Sequence, residues 1–150
     1  MKYQKLFTPV SIGNVQLKNR FALAPMGPLG LGDASGGFNQ RGIDYYTERA
    51  KGGTGLIITG VTFVDNEVEE HGMPNCPSPT YDSVHFTRTA REMTERIHAY
   101  GAKVFLQMSA GFGRVTIPTN LGEYPPVAPS PIPHRWLDKI CRELTVEEIH

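Results

Sequence analysis

"TGLIITGVTFV", residues 54–64, is nearly all apolar and rich in β-branched side chains. Such a run reads as a strand buried on both faces, the situation of a strand inside a parallel sheet covered by helices. Its neighbours fit that reading. Upstream, a helix is expected from about Asn39, with Ile43, Tyr46 and Ala50 on one face and Gly52–Gly53 ending it. Downstream, a second helix is expected near Ser83, a residue able to cap it. Phe86, Ala90, Met93, Ile97 and Tyr100 form its apolar stripe, and Gly101 stops it. Two further strands flank these elements, "RFALAPM" at 20–26 and "AKVFLQM" at 102–108. The order strand, helix, strand, helix, strand predicts a parallel α/β sheet.

Both ends of the chain extend this pattern. "VSIGNVQL" alternates around Gly13–Asn14, a two-residue turn signal, and predicts a small hairpin within residues 1–20. After the last strand the chain turns loop-like over 115–144, and six of the twelve prolines fall between Pro118 and Pro133. Helix signals resume at once, so the stretch reads as a long loop inside one domain spanning 1–150 and not as a linker. Thr145 and Glu148 then spell a capping box, with Leu144 and Ile149 where a hydrophobic staple would sit. One turn of helix is not stable alone, and the expectation is therefore a piece of a longer chain. Three parallel strands alone would also leave open edges that a closed barrel hides.

Composition narrows the function classes. Fifteen acidic and fifteen basic residues balance, which argues against a nucleic-acid or anionic-membrane partner. No stretch reaches the ~20 apolar residues of a membrane span, and the N-terminus lacks a signal-peptide core. Cys76 and Cys141 fit no metal or redox spacing and read as free thiols in a cytoplasmic protein, with a disulfide between them the less favoured alternative. His71, His85, His98 and His134 have no metal-ligand spacing and read as surface histidines; no metal site is expected.

Glycines follow the first strand in "APMGPLGLG", residues 24–32, which raises the choice between a bound phosphate and a bound ring. A dinucleotide-binding turn needs G-x-G-x-x-G at a helix start and an acidic residue about twenty positions on. Gly27, Gly30 and Gly32 give another spacing, "DASGGFNQ" intervenes before the helix, and the second strand ends in Thr59–Gly60 without a carboxylate. Ligands of parallel α/β folds lie at the C-terminal strand ends. Those ends here are Pro25–Met26–Gly27, Thr59–Gly60 and Gln107–Met108. Two of them offer glycine for close backbone approach, and the third a carboxamide suited to the mixed edge of a heteroaromatic ring. Taken singly, Gly60 reads better as relieving crowding and Gln107 as satisfying a loop; taken together, at the same end of successive strands, they favour a ring site.

"LFTPVSIGNVQLKNRFALAPM", "RAKGGTGLIITG", "GAKVFLQM" with "GR" soon after, "APSPIP" and "ELTVEEI" occur in the order seen in the old yellow enzyme family. The sequence resembles that family of NADH:flavin oxidoreductases over essentially its whole length, and within it the 2-enoate reductase and 2,4-dienoyl-CoA reductase branch. The resemblance implies an FMN-binding (βα)8 TIM barrel, here its N-terminal hairpin and about three βα units, ending within the third helix. It implies an ene-reductase that reduces the C=C bond of α,β-unsaturated carboxylates, carbonyls or thioesters with electrons from NADH or NADPH. Pro25, Met26 and Gly27 match the stretch whose backbone lies against the flavin, Gly60 the small residue after the second strand, and Gln107 the glutamine bonded to the flavin pyrimidine. Many relatives carry Thr or Cys where Gly27 stands. A glycine there goes with anaerobic enoate reductases that carry a 4Fe–4S cluster and an FAD module further on. A histidine usual after the third strand is absent from "QMSAGFGR", and Arg114 is at most an ordering residue. By the family's order the oxygen-binding pair and the proton-donating tyrosine come after His150, so no catalytic residue is expected within this chain, which alone is expected to be inactive. The competing readings are a partner-dependent, non-catalytic half-barrel and a dinucleotide-binding module.

Overall fold

The computed structural model describes residues 3–69, 73–116 and 125–150. The chain forms two compact units, Met1–Thr62 with Pro74–Met108, and Phe63–Met73 with Ser109–His150. In the first, a single 3-10 turn at Gln4–Phe7 precedes the hairpin of β1 (Val10–Ile12) and β2 (Val15–Leu17). The strands are antiparallel with Val10 opposite Leu17, and Gly13 takes the left-handed backbone (φ 54°) the tight turn needs.

The parallel unit follows as expected: β3 (Ala22–Leu23), α1 (Gln40–Lys51), β4 (Leu56–Phe63), α2 (Ser83–Ala99) and β5 (Lys103–Ser109). Strand order is β3-β4-β5, so the most apolar strand lies in the centre. Ala22 pairs with Leu56 in parallel, and Lys103 and Gln107 donate their N–H groups to Gly55 O and Thr59 Oγ1, so β5 advances in step with β4. The expected first strand is much shorter than its apolar run: the ladder stops at Leu23, and 24–38 continue as irregular backbone. Pro25 has no N–H to extend a ladder, which accounts for the early end.

Both helices bury the faces their spacing predicts. Ile43, Tyr46 and Ala50 of α1 and Phe86, Met93 and Ile97 of α2 join Leu31, Phe38, Ile57 and Ala102 in one apolar core. Tyr100 departs from the stripe: it sits at the C-cap of α2 and is 43% exposed, and Gly101 (φ 69°) ends the helix. Asn39 caps α1, its Oδ1 accepting from Gly42 N–H at 2.9 Å. The cap of α2 is Asp82 and not Ser83; its carboxylate accepts the His85 N–H at 2.9 Å, and a carboxylate competes well with a hydroxyl for that position.

The second unit corrects the picture of 115–144 as a plain loop. Among its described residues, β6 (Val127–Ala128) pairs in parallel with β7 (Arg142–Glu143), and Pro133 bridges Ile140. His134 is 5% exposed and not on the surface: its Nε2 lies 2.9 Å from Thr116 O, while Nδ1 accepts the Trp136 and Leu137 N–H groups. Two N–H donors on Nδ1 leave the ring proton on Nε2. Residue His71 lies outside the described residues. Glu69, 7% exposed, accepts from Phe112 N–H at 3.0 Å and from the Thr116 hydroxyl at 2.5 Å. Arg114 contributes its carbonyl, which accepts the Arg135 N–H. The capping box forms as expected at α3 (Val146–Ile149), but Ile149 is 62% exposed and buries little. Cys76 and Cys141 are both free thiols and buried.

Candidate functional site

The C-terminal ends of β3, β4 and β5 lie side by side in the first unit. Leu23 is the last paired residue of β3, and Pro25, Met26 and Gly27 run on from it as exposed backbone. Gly27 lies against Gly60 of β4. A Cβ placed on Gly60 would come 2.5 Å from Gly27 Cα and 2.9 Å from Met26 O, far inside ordinary contact. Glycine at 60 is therefore demanded by the neighbouring chain segment, whatever else approaches it. The reverse substitution is roomy, since a Cβ on Gly27 would find its nearest neighbours at 3.7 Å.

Gln107 stands level with Thr59 on the next strand, its N–H held by Thr59 Oγ1 at 3.1 Å. Thr59 is fully buried, whereas Gln107 is exposed and its carboxamide has no partner among the described residues. Thus Pro25, Met26, Gly27 and Gln107 are exposed at one end of the sheet, and Gly60 is buried against Met26 and Gly27. An exposed segment at 25–27 and an unpaired carboxamide two strands away suit a flat heteroaromatic group, since backbone can approach a ring face and an amide can both donate to and accept from a ring edge.

The loop that leaves this strip is firmly tied. Asn39 caps α1 with its oxygen and donates its amide hydrogens to Gly30 O at 3.0 Å and Gly32 O at 2.8 Å. Asp33 accepts from Ser35 and Gly37 N–H and lies 2.7 Å from His85 Nε2. Burial works to raise the Asp33 carboxyl, but the bonds from His85, Gly37 and Ser35 outweigh it and hold the group below the usual aspartate value. His85 is thus half-buried in a loop clamp and is not a free surface group. The glycines at 27, 30 and 32 do not run straight into a helix as a phosphate turn requires, because α1 begins only at Gln40.

One buried group had no counterpart in the sequence reading. The Tyr46 hydroxyl accepts the Gly60 N–H at 2.7 Å. Its signal in the sequence was a tyrosine on an otherwise apolar helix face, since a buried phenol needs a partner.

The sequence profile of the NADH:flavin oxidoreductase / NADH oxidase family matches residues 5–150. The chain belongs to this family. It is 58% identical over 149 residues to cinnamate reductase of Clostridium sporogenes, covering 99% of this chain and 22% of that protein. It is 38% identical to NADH oxidase of Thermoanaerobacter brockii, over 98% of this chain and 22% of that one. The solved structure of the old yellow enzyme homologue from Zymomonas mobilis superposes with a TM-score of 0.73 at 28% identity, over 97% of this chain and 41% of that one. The chain therefore spans about a fifth of the length of these curated relatives and has the fold of part of an old yellow enzyme α/β barrel: the N-terminal hairpin and three strand units. Among the described residues of this family member, no helix is long and apolar enough to cross a membrane.

Proposed function

We propose that residues 1–150 are the N-terminal portion of one FMN-binding barrel domain in an ene-reductase, with an aryl-substituted enoate such as cinnamate as substrate. The observation that carries this reading is the exposed strip 25–27 packed on Gly60 beside the unpaired Gln107 carboxamide. Family membership supports FMN as the flat group, and the relative at 58% identity is named cinnamate reductase. When bound and reduced, FMN supplies a hydride to the alkene carbon β to a carbonyl.

In this reading the main chain at Pro25, Met26 and Gly27 lines the flavin face. Gly60 lets that segment sit low, and Gln107 bonds the polar edge of the ring. Their work is orientation and exclusion of water, which is how a protein contributes when a cofactor carries the chemistry. The groups that bind the substrate oxygen and deliver a proton are assigned beyond His150. The chain covers 41% of the barrel homologue but 22% of cinnamate reductase, so the latter is close to twice as long and has room for a further module. We assign to that module an FAD and a 4Fe–4S cluster, with NADH or NADPH as donor. The two buried free thiols favour a cytoplasmic setting.

The test is anaerobic reoxidation. The full-length protein, reduced with dithionite, is mixed with cinnamate while the flavin absorbance is followed. The expected result is return of the oxidised band with one 3-phenylpropanoate formed per flavin. A bound flavin that no enoate reoxidises would overturn the assignment.

A further inference from the structure

We infer that Tyr46 is a positioning residue for the cofactor face, acting through the Gly60 amide; this rests on the flavin-site reading above. The Tyr46 ring is 1% exposed and stacks edge-on against Tyr45 and Phe38. That packing fixes where the hydroxyl sits, and the hydroxyl accepts the Gly60 N–H at 2.7 Å. Gly60 in turn is the surface on which Met26 and Gly27 rest, because nothing larger than hydrogen fits between them. The chain of contacts therefore runs from helix α1 through one hydrogen bond to the segment that meets the ring.

Packing alone does not set the height of that segment. A cavity of about 20 Å³ lies among Gly27, Leu31, Phe38, Tyr46, Gly60 and Cys76. It has room for about one water and is walled mainly by apolar groups. The two glycines have slack on that side, and the Tyr46 bond to the Gly60 N–H spans it. β5 holds the other edge of β4, but β3 pairs with β4 at Ala22 and Leu23, short of Met26 and Gly27. Burial pushes the Tyr46 phenol up, the Gly60 bond pulling the other way, so the hydroxyl stays protonated at neutral pH.

The experiment compares the full-length flavoprotein with its Tyr46→Phe, Tyr45→Phe and Ile97→Val variants. Tyr45→Phe removes a hydroxyl that makes no hydrogen bond among the described residues. Ile97→Val weakens a fully buried core site that is not among the groups around the strand ends. Losing one neutral hydrogen bond predicts FMN binding weaker by about five- to tenfold for Tyr46→Phe, with a displaced flavin absorbance band and midpoint potential. Ile97→Val lowers the melting temperature but leaves band and potential unchanged, and Tyr45→Phe alters none of these. A Tyr46→Phe protein with wild-type FMN affinity, band and potential overturns the inference, as does Ile97→Val shifting the band equally. Should Tyr46→Phe not fold, 3-fluorotyrosine at position 46 reports instead. Its fluorine resonance moves on FMN binding if the inference holds, and an unchanged resonance overturns it. A wild-type protein that retains no flavin refutes the flavin-site reading and not this link alone.

Discussion

The contact between Gly27 and Gly60 yields the most discriminating substitution pair. In Gly60→Ala the new methyl would begin 2.5 Å from Gly27 Cα, 2.9 Å from Met26 O and 3.1 Å from Gly27 N. Carbon atoms in van der Waals contact stand ~3.5–4.0 Å apart, so the 26–27 backbone must retreat by about 1 Å. All three nearest atoms are main chain, which has no rotamer to escape into. Overpacking of this kind costs about 1–3 kcal/mol. In Gly27→Ala the methyl finds 3.7 Å to Gly60 Cα and Val61 N, ordinary contact. Neither glycine has a positive φ, so the alanine backbone itself is unstrained in both variants. Gly27→Ala should then stay within ~0.5 kcal/mol of wild type. The assay is FMN titration of the full-length apoprotein by flavin fluorescence, alongside thermal unfolding. Gly60→Ala should lose at least tenfold in FMN affinity and melt lower, and Gly27→Ala should melt as wild type. Equal behaviour of the two variants would refute the packing argument.

Asn39→Asp should destabilise the loop after β3 although aspartate caps helices as well as asparagine. It replaces two donors to Gly30 O and Gly32 O with lone pairs facing those carbonyls. The expected cost is about 1–3 kcal/mol, read as faster hydrogen exchange at Gly37 and Phe38. Glu69→Gln should cost about 1–2 kcal/mol: the amide nitrogen cannot accept the Gly113 N–H, and the bonds from Phe112 N–H and the Thr116 hydroxyl to the remaining oxygen lose their charge; urea unfolding measures it. The Arg142 side chain foremost, with the Thr145 N–H, holds the Glu148 carboxyl down to about 2. Because the folded value is depressed, what the pair contributes is present above about pH 4.5 and is lost as pH falls towards 2. A carbon-13 titration of Glu148 with its midpoint near the ordinary glutamate value would contradict this.

Local chemistry made much of the fold legible. The apolar run at β4, the stripes of α1 and α2 and the Gly13–Asn14 turn each state their element within a few residues, and the structure places them there. Ambiguity arose where neighbours compete for one role: Asp82 and Ser83 can both cap a helix, and only the bond to the His85 N–H decides. Contacts between distant segments were not legible. The β6–β7 pairing joins two-residue strands that carry no alternation, and His134 is buried because Thr116 O and two N–H groups surround it. At the candidate site, Gln107 was legible as a carboxamide at a strand end. The reason for Gly60 was only half legible, because the crowding comes from Gly27, 33 positions away in sequence. Tyr46 is legible as core, but the partner of its hydroxyl is not, because the Gly60 N–H comes from a strand 14 positions away.

If this strand-end face holds the flavin, a crystal structure of the full-length protein loaded with FMN will show it there. The flavin should lie against the main chain at 25–27, with the Gln107 carboxamide within hydrogen-bond distance of its pyrimidine edge. A flavin bound elsewhere, with Gln107 still unpaired, would contradict it.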